Sequence, residues 1–154
     1  MSQLVGNLLQ RPDGVRHALS FFIVEDEKHF SDPSRRITET HALFALGPGL
    51  AGHAGLVHGG MIMTLFDEGI ARIIEVNWAG NKKFILNRGI IYTAAINIKF
   101  KRPPPIDSEV CVTATLLEHD DRLLTIVAEM RGPKRELYAT AEALWRNPKP
   151  KASL

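Results

Sequence analysis

One stretch limits what this chain can fold into: residues 55–76, GLVHGGMIMTLFDEGIARIIEV. Ile62, Phe66, Gly69, Ile73 and Val76 recur at helical spacing, and Leu65, Ile70 and Ile74 widen the apolar stripe. The pattern predicts one long helix covered on most sides by other elements. At its centre stand two adjacent acids, Asp67 and Glu68. Burying a charge unpaired is costly, so each acid needs a neighbour or a task. Glu68 and Arg72 lie four residues apart, the spacing of a helical ion pair. Asp67 points about 100° away from Glu68, and the residues one turn to either side of it, Met63 and Ala71, carry no charge.

The helix is expected to start near His58 or Gly59 and to end near Trp78, with Ala79-Gly80-Asn81 closing it and Lys82-Lys83 just beyond, where cations suit a helix C-terminus. Upstream, residues 2–10 read as a short helix broken by Pro12-Asp13-Gly14. Residues 15–24 fit helix or strand equally. Residues 25–35 read as polar loop, and residues 36–46 as a strand stopped by Gly47-Pro48-Gly49. Downstream, four antiparallel strands are expected at 87–101, 109–118, 122–131 and 135–146, with a tight turn at 119–121. In the first, Ile90, Tyr92, Ala94, Ile96, Ile98 and Phe100 alternate as one face. In the last, Leu137, Ala139, Ala141, Ala143 and Trp145 alternate, and this period of two decides for strand over helix. The fold class is α+β.

Composition narrows the function classes. A chain of 154 residues favours one domain with a sizeable core. A net charge of +2 does not mark a nucleic-acid binder. The single cysteine, Cys111, leaves no intrachain disulfide and no cysteine-based metal site, and the spacing of His17, His29, His41 and His119 is not that of metal ligands, so no metal is expected. No apolar run reaches the roughly 18 residues of a membrane span. The N-terminus lacks the pattern of a secretory signal, which leaves a cytoplasmic or mitochondrial location as the expectation.

Taken together, His58-Gly59-Gly60, Asp67 nine residues after the histidine, the strand YTAAINIKFKRPPP and the final ATAEALW resemble the hot-dog-fold acyl-CoA thioesterase superfamily, in its small single-domain, phenylacetate-pathway-like form. The resemblance covers residues 36–147. It implies an antiparallel sheet of about five to six strands wrapped around one long central helix. Residues 1–35 would then be a helical or irregular extension, and 148–154 a disordered tail. It also implies hydrolysis of a coenzyme A or carrier-protein thioester, with coenzyme A as part of the substrate and no separate cofactor. The amide of Gly59 or Gly60 would stabilise the oxyanion, and Asp67 would be nucleophile or general base. In the family these groups come from opposite subunits, so a homodimer or a dimer of dimers is implied. Thr93 falls where related enzymes carry a hydroxyl that orients water.

Many relatives also place an Asn or Gln amide in the loop before His-Gly-Gly, whereas this chain reads Gly52-His53-Ala54-Gly55. His53 is either its substitute or an ordinary loop histidine, and His58 is either a base or a residue that positions the loop. Phe66 is expected to line the acyl pocket. Lys99, Lys101 and Arg102, with Arg88 at the start of the same strand, are either edge charges that prevent strand pairing or contacts to coenzyme A phosphates. Two rivals stay open: a hydratase or dehydratase of the same fold working through His58 or His53, and a non-catalytic acyl-CoA binder.

Overall fold

The computed structural model describes residues 4–82, 91–119 and 123–147; Lys83, Arg88, most of the 119–121 turn and the 148–154 tail lie outside them. After a short helical turn at Leu4–Leu9 come β1 (Val15–Phe21), β2 (Glu39–Leu46), β3 (Ala51–His53) and β4 (Leu56–Val57). The long helix α1 (Gly59–Ala79) follows, then β5 (Tyr92–Phe100), β6 (Glu109–His119), β7 (Leu123–Arg131) and β8 (Leu137–Arg146). Six strands form one antiparallel sheet in the order β1-β2-β6-β7-β8-β5, while β3 and β4 make a small separate hairpin. This is the hot-dog arrangement, a sheet curled against one long helix. Among the described residues no helix is long and apolar enough to cross a membrane.

Alternation explains the sheet. Ala42, Phe44 and Leu46 on β2, Val110, Val112 and Ala114 on β6, and Leu124, Ile126, Ala128 and Met130 on β7 are all buried on the face that meets α1. The helix meets them with Ile62, Leu65, Phe66, Ile70, Ile73 and Ile74. The two pack tightly at Gly69, where a Cβ would stand 2.6 Å from Cγ1 of Val112. Any side chain there would push helix and sheet apart.

The N-terminal residues do more than extend the domain. Val5 and Val15 are fully buried, and β1 pairs with β2 along its length. The backbone of Asp13 and Gly14 accepts from the N–H groups of Gly49 and Gly47 at 2.6 and 2.7 Å. Of residues 15–24, ambiguous in sequence, Val15–Phe21 form an edge strand with apolar groups on both faces: Ala18 packs on the core while Leu19 is 61% exposed. A strand of that kind has no alternation to read.

The expected face of β5 needs correction. Its pairing with β8 slips between Thr93 and Ala95, a bulge that breaks the period of two. Thr93, Ile96 and Ile98 are half-buried, while Tyr92 and Ala94 are exposed rather than sharing the face of Ile96 and Ile98.

The far end of α1 is tied to residues 29–37. Fully buried Asn77 accepts from the Ile37 N–H at 3.0 Å and donates to the carbonyls of Ile37 and Ile73 at 2.8 and 2.7 Å. The Lys82 ammonium donates to three loop carbonyls, His29, Phe30 and Asp32, at 2.6, 2.8 and 2.8 Å.

Candidate active site

The N-terminus of α1 is built by His58. Its backbone is extended (φ −62°, ψ 137°) and its Nδ1 accepts from the Gly60 N–H at 2.9 Å, a side-chain N-cap. An accepting Nδ1 places the ring proton on Nε2. The two glycine amides, equivalent in the sequence, are therefore not equivalent in the fold. That of Gly60 is claimed by its own histidine, whereas that of Gly59 has no acceptor among the described residues. Nothing in the chain's packing demands glycine at 59. A Cβ there would meet only the Phe100 ring, at 3.9 and 4.0 Å, ordinary contact distances.

At Gly52 the loop cannot carry a side-chain amide. A Cβ on Gly52 would lie 2.7 Å from both Cα and Cδ2 of His58. The hairpin backbone thus runs directly against the capping histidine, with no room for an Asn or Gln. His53, at the end of β3, is exposed.

The two acids part as the sequence suggests. Glu68 is buried and its carboxylate receives the Arg72 guanidinium at 2.9 Å, which also reaches Glu75 at 2.5 Å. Asp67 faces β5, and the Thr93 hydroxyl donates to its Oδ1 at 2.6 Å. The bulge that breaks the β5 alternation is what turns Thr93 inward to make this bond. One carboxylate oxygen is thereby held, while the other has no partner among the described residues in this partly exposed group.

The remaining candidates scatter. Phe66 is fully buried in the core cluster and offers no surface to a ligand. Lys99 pairs with Thr140 and shares with Asn97 and Glu142 a shallow groove on the sheet surface away from α1. Lys101 and Arg102 follow β5, their N–H groups both donating to the Tyr138 carbonyl at 2.8 and 3.1 Å. The Arg102 guanidinium lies over the Tyr138 ring at 5.5 Å. Burial, then the nearby Glu136 carboxylate, raises the Tyr138 hydroxyl above its usual range, so it stays protonated and donates to Glu136 Oε1 at 2.8 Å. Phe100 beside Gly59 was not singled out as a site residue from the sequence, because only the β5–β8 register brings this strand end to the helix start.

Geometry separates the two catalytic candidates. Gly59 and Asp67 are eight residues apart, so about 12 Å of helix lies between them. A carbonyl held at the Gly59 amide cannot be reached by the Asp67 of the same chain.

A family model described as Thioesterase superfamily matches residues 54–139. Among curated proteins, the acyl-coenzyme A thioesterase THEM4 of Bos taurus is 30% identical over 134 residues, covering 86% of this chain and 47% of that protein. The protein of the same name from Mus musculus is 33% identical over 109 residues, covering 69% and 42%. The chain spans less than half the length of these two mammalian relatives. Among solved structures, the Escherichia coli PaaI protein of the phenylacetic acid degradation operon superposes with a TM-score of 0.59 at 14% identity, over 71% of this chain and 72% of that one. A phenylacetic acid degradation-related protein from Ralstonia eutropha gives 0.62 at 17%, over 83% and 84%. At such identities the likeness is one of fold.

Proposed function

The chain belongs to the thioesterase superfamily, and from that premise we propose that it hydrolyses acyl thioesters of coenzyme A or of a carrier protein. The observation that carries the reading is the Asp67 carboxylate, fixed at one oxygen by Thr93 and unneutralised by the Arg72 that serves Glu68. The thioester carbonyl binds the Gly59 N–H, which stabilises the negative charge that develops on oxygen. In the general-base route Asp67 takes a proton from water as the water oxygen attacks the carbonyl carbon. The C–S bond then breaks, the thiolate leaves and is protonated, and the free acid departs. In the nucleophilic route the carboxylate attacks first and water hydrolyses the resulting anhydride. Thr93 orients the carboxylate in both.

The 12 Å gap along α1 argues that the Asp67 of one chain serves the Gly59 of another. The edge strand β5, with Tyr92 half-exposed, is a surface that needs such a cover. Bovine THEM4 is named an acyl-coenzyme A thioesterase, which supports coenzyme A as the thiol. The basic residues Lys101 and Arg102 beyond β5 would meet its phosphates.

The test is thiol release from a panel of acyl-CoA substrates of graded length. Asp67→Asn should lower turnover by about 10²-fold or more with the melting temperature unchanged. Near wild-type turnover in that variant would remove Asp67 from the mechanism. Substrate consumed without thiol release would point instead to a hydratase, and tight binding without turnover to a binder.

A further inference from the structure

We infer that Phe100 is a positioning residue for the thiol-side arm of the substrate, pressing it against the Gly59 amide. The inference rests on the thioesterase reading and adds a residue and a substrate direction to it. Phe100 ends β5 opposite Ala139, which is fully buried on the inner face of the sheet. That pairing puts the ring on the side of α1, where its edge comes within ordinary contact of the Gly59 Cβ position. Even so, the ring is 51% exposed. An aromatic ring held half in water forgoes the gain of burial, and it is not there by looseness, because the next two residues are both pinned to the Tyr138 carbonyl.

Gly59 gives the second observation. Its backbone needs no glycine for helix geometry, and alanine would fit beside the ring. The missing methyl leaves a notch between an uncommitted amide and an aromatic wall. A thioester carbonyl in that notch places its sulfur near the ring, and sulfur packs favourably at aromatic edges. Lys101 and Arg102 come directly after the ring, so an arm crossing Phe100 leaves towards positive charge. The acyl group must then run the other way, along α1 and β5.

The experiment compares Phe100→Ala and Phe100→Leu with wild type on two thioesters of one acyl group, the CoA ester and the N-acetylcysteamine ester, which ends just past the sulfur. Phe21→Ala, on the opposite face of the sheet, is the control. Phe100→Ala should raise KM about tenfold for both esters with kcat changed much less, the mark of lost uniform binding. Phe100→Leu should recover most of the loss, and Phe21→Ala should match wild type. An unchanged KM in Phe100→Ala, or an effect on the CoA ester alone, overturns the inference. So does a KM change that tracks dissociation of the oligomer in sedimentation, since Phe100 would then be a subunit contact. Affinity for a non-hydrolysable thioether analogue of the CoA ester separates the two levels. A wild type that binds the analogue yet releases no thiol from the CoA ester refutes hydrolysis while still reporting Phe100 through affinity. A wild type that binds neither refutes both.

Discussion

The two ends of α1 are built on opposite plans. At the C-terminal end the carbonyls of Val76, Asn77 and Trp78 receive the N–H groups of Gly80, Lys82 and Asn81. Asn77 and Lys82 then stitch the same turn to residues 29–37 through five further hydrogen bonds. At the N-terminal end His58 alone supplies the acceptors: its Nδ1 takes the Gly60 N–H and its carbonyl those of Met61 and Ile62, which leaves the Gly59 N–H without an acceptor among the described residues. Any α-helix begins with orphan N–H groups. Here one end is closed by the protein itself, while the other keeps a donor for something else. The end with the open donor and the end closed by the chain lie about 30 Å apart along one helix.

Deleting the Gly59 donor is the strongest way to break that contrast. Proline lacks an N–H and is favoured at the first helical position, and His58 already has the extended backbone that a residue before proline prefers. Gly59→Pro should therefore keep the fold and lower kcat by about 10²- to 10³-fold, the usual cost of one oxyanion donor. Full activity would mean that the open end is not where the carbonyl binds. Mixing this variant with Asp67→Asn tests the division between chains. In a two-fold dimer, each mixed pair regains one intact site, so subunit exchange should restore about a quarter of wild-type activity. No recovery after verified exchange would place both groups in a single-chain site.

The closed end predicts the reverse outcome. Asn77→Ala removes the side chain that pairs the Ile37 N–H and carbonyl in a buried setting, which should cost about 2–4 kcal/mol of stability. Denaturant unfolding should show that loss, with kcat per folded molecule unchanged. A large loss of kcat would show that the two ends are coupled. His58 stands between the plans, because it stabilises the helix while leaving Gly59 alone. His58→Ala should cost about 1 kcal/mol through the lost cap, and His58→Asn should regain most of it. If Asn restores stability but not activity, the imidazole has a chemical role beyond capping.

The contrast also marks what could be read in the sequence. The body of α1 and strands β6 to β8 were legible because one face of each is buried, so periodicity reports it. The Glu68–Arg72 pair was legible because its partners are one turn apart. What escaped depends on distant chain segments. Asn77 and Lys82 look like ordinary helix-end residues until the loop 40 to 53 residues away arrives. The inward turn of Thr93 comes from a bulge that strict alternation denies, and only the family resemblance pointed to it. The inequality of Gly59 and Gly60 follows from one side-chain rotamer of His58, and no spacing encodes that.

The smallest expected effect is one of pH, and it should act on the closed end. Asp26 and Asp32 lie in the loop that Lys82 grips. Asp26 is held below its usual range mainly by its hydrogen bond from Arg35, and Asp32 mainly by the Ser34 hydroxyl and N–H. Both carboxylates bind protons less readily in the folded chain than in the unfolded one. Their contribution is therefore complete above the unfolded value of 3.8 and is lost as pH falls through the lower folded values. Asp26 is exposed and Asp32 partly so, and salt screens both, so global unfolding should barely register the change. Backbone amide and Lys82 side-chain NMR signals at the loop should shift or broaden below pH 3.8, and Asp26→Asn should remove part of that response. Equal broadening at the Gly59 end of the helix would mean that acid loosens α1 as a whole, and the two ends would then not be independent.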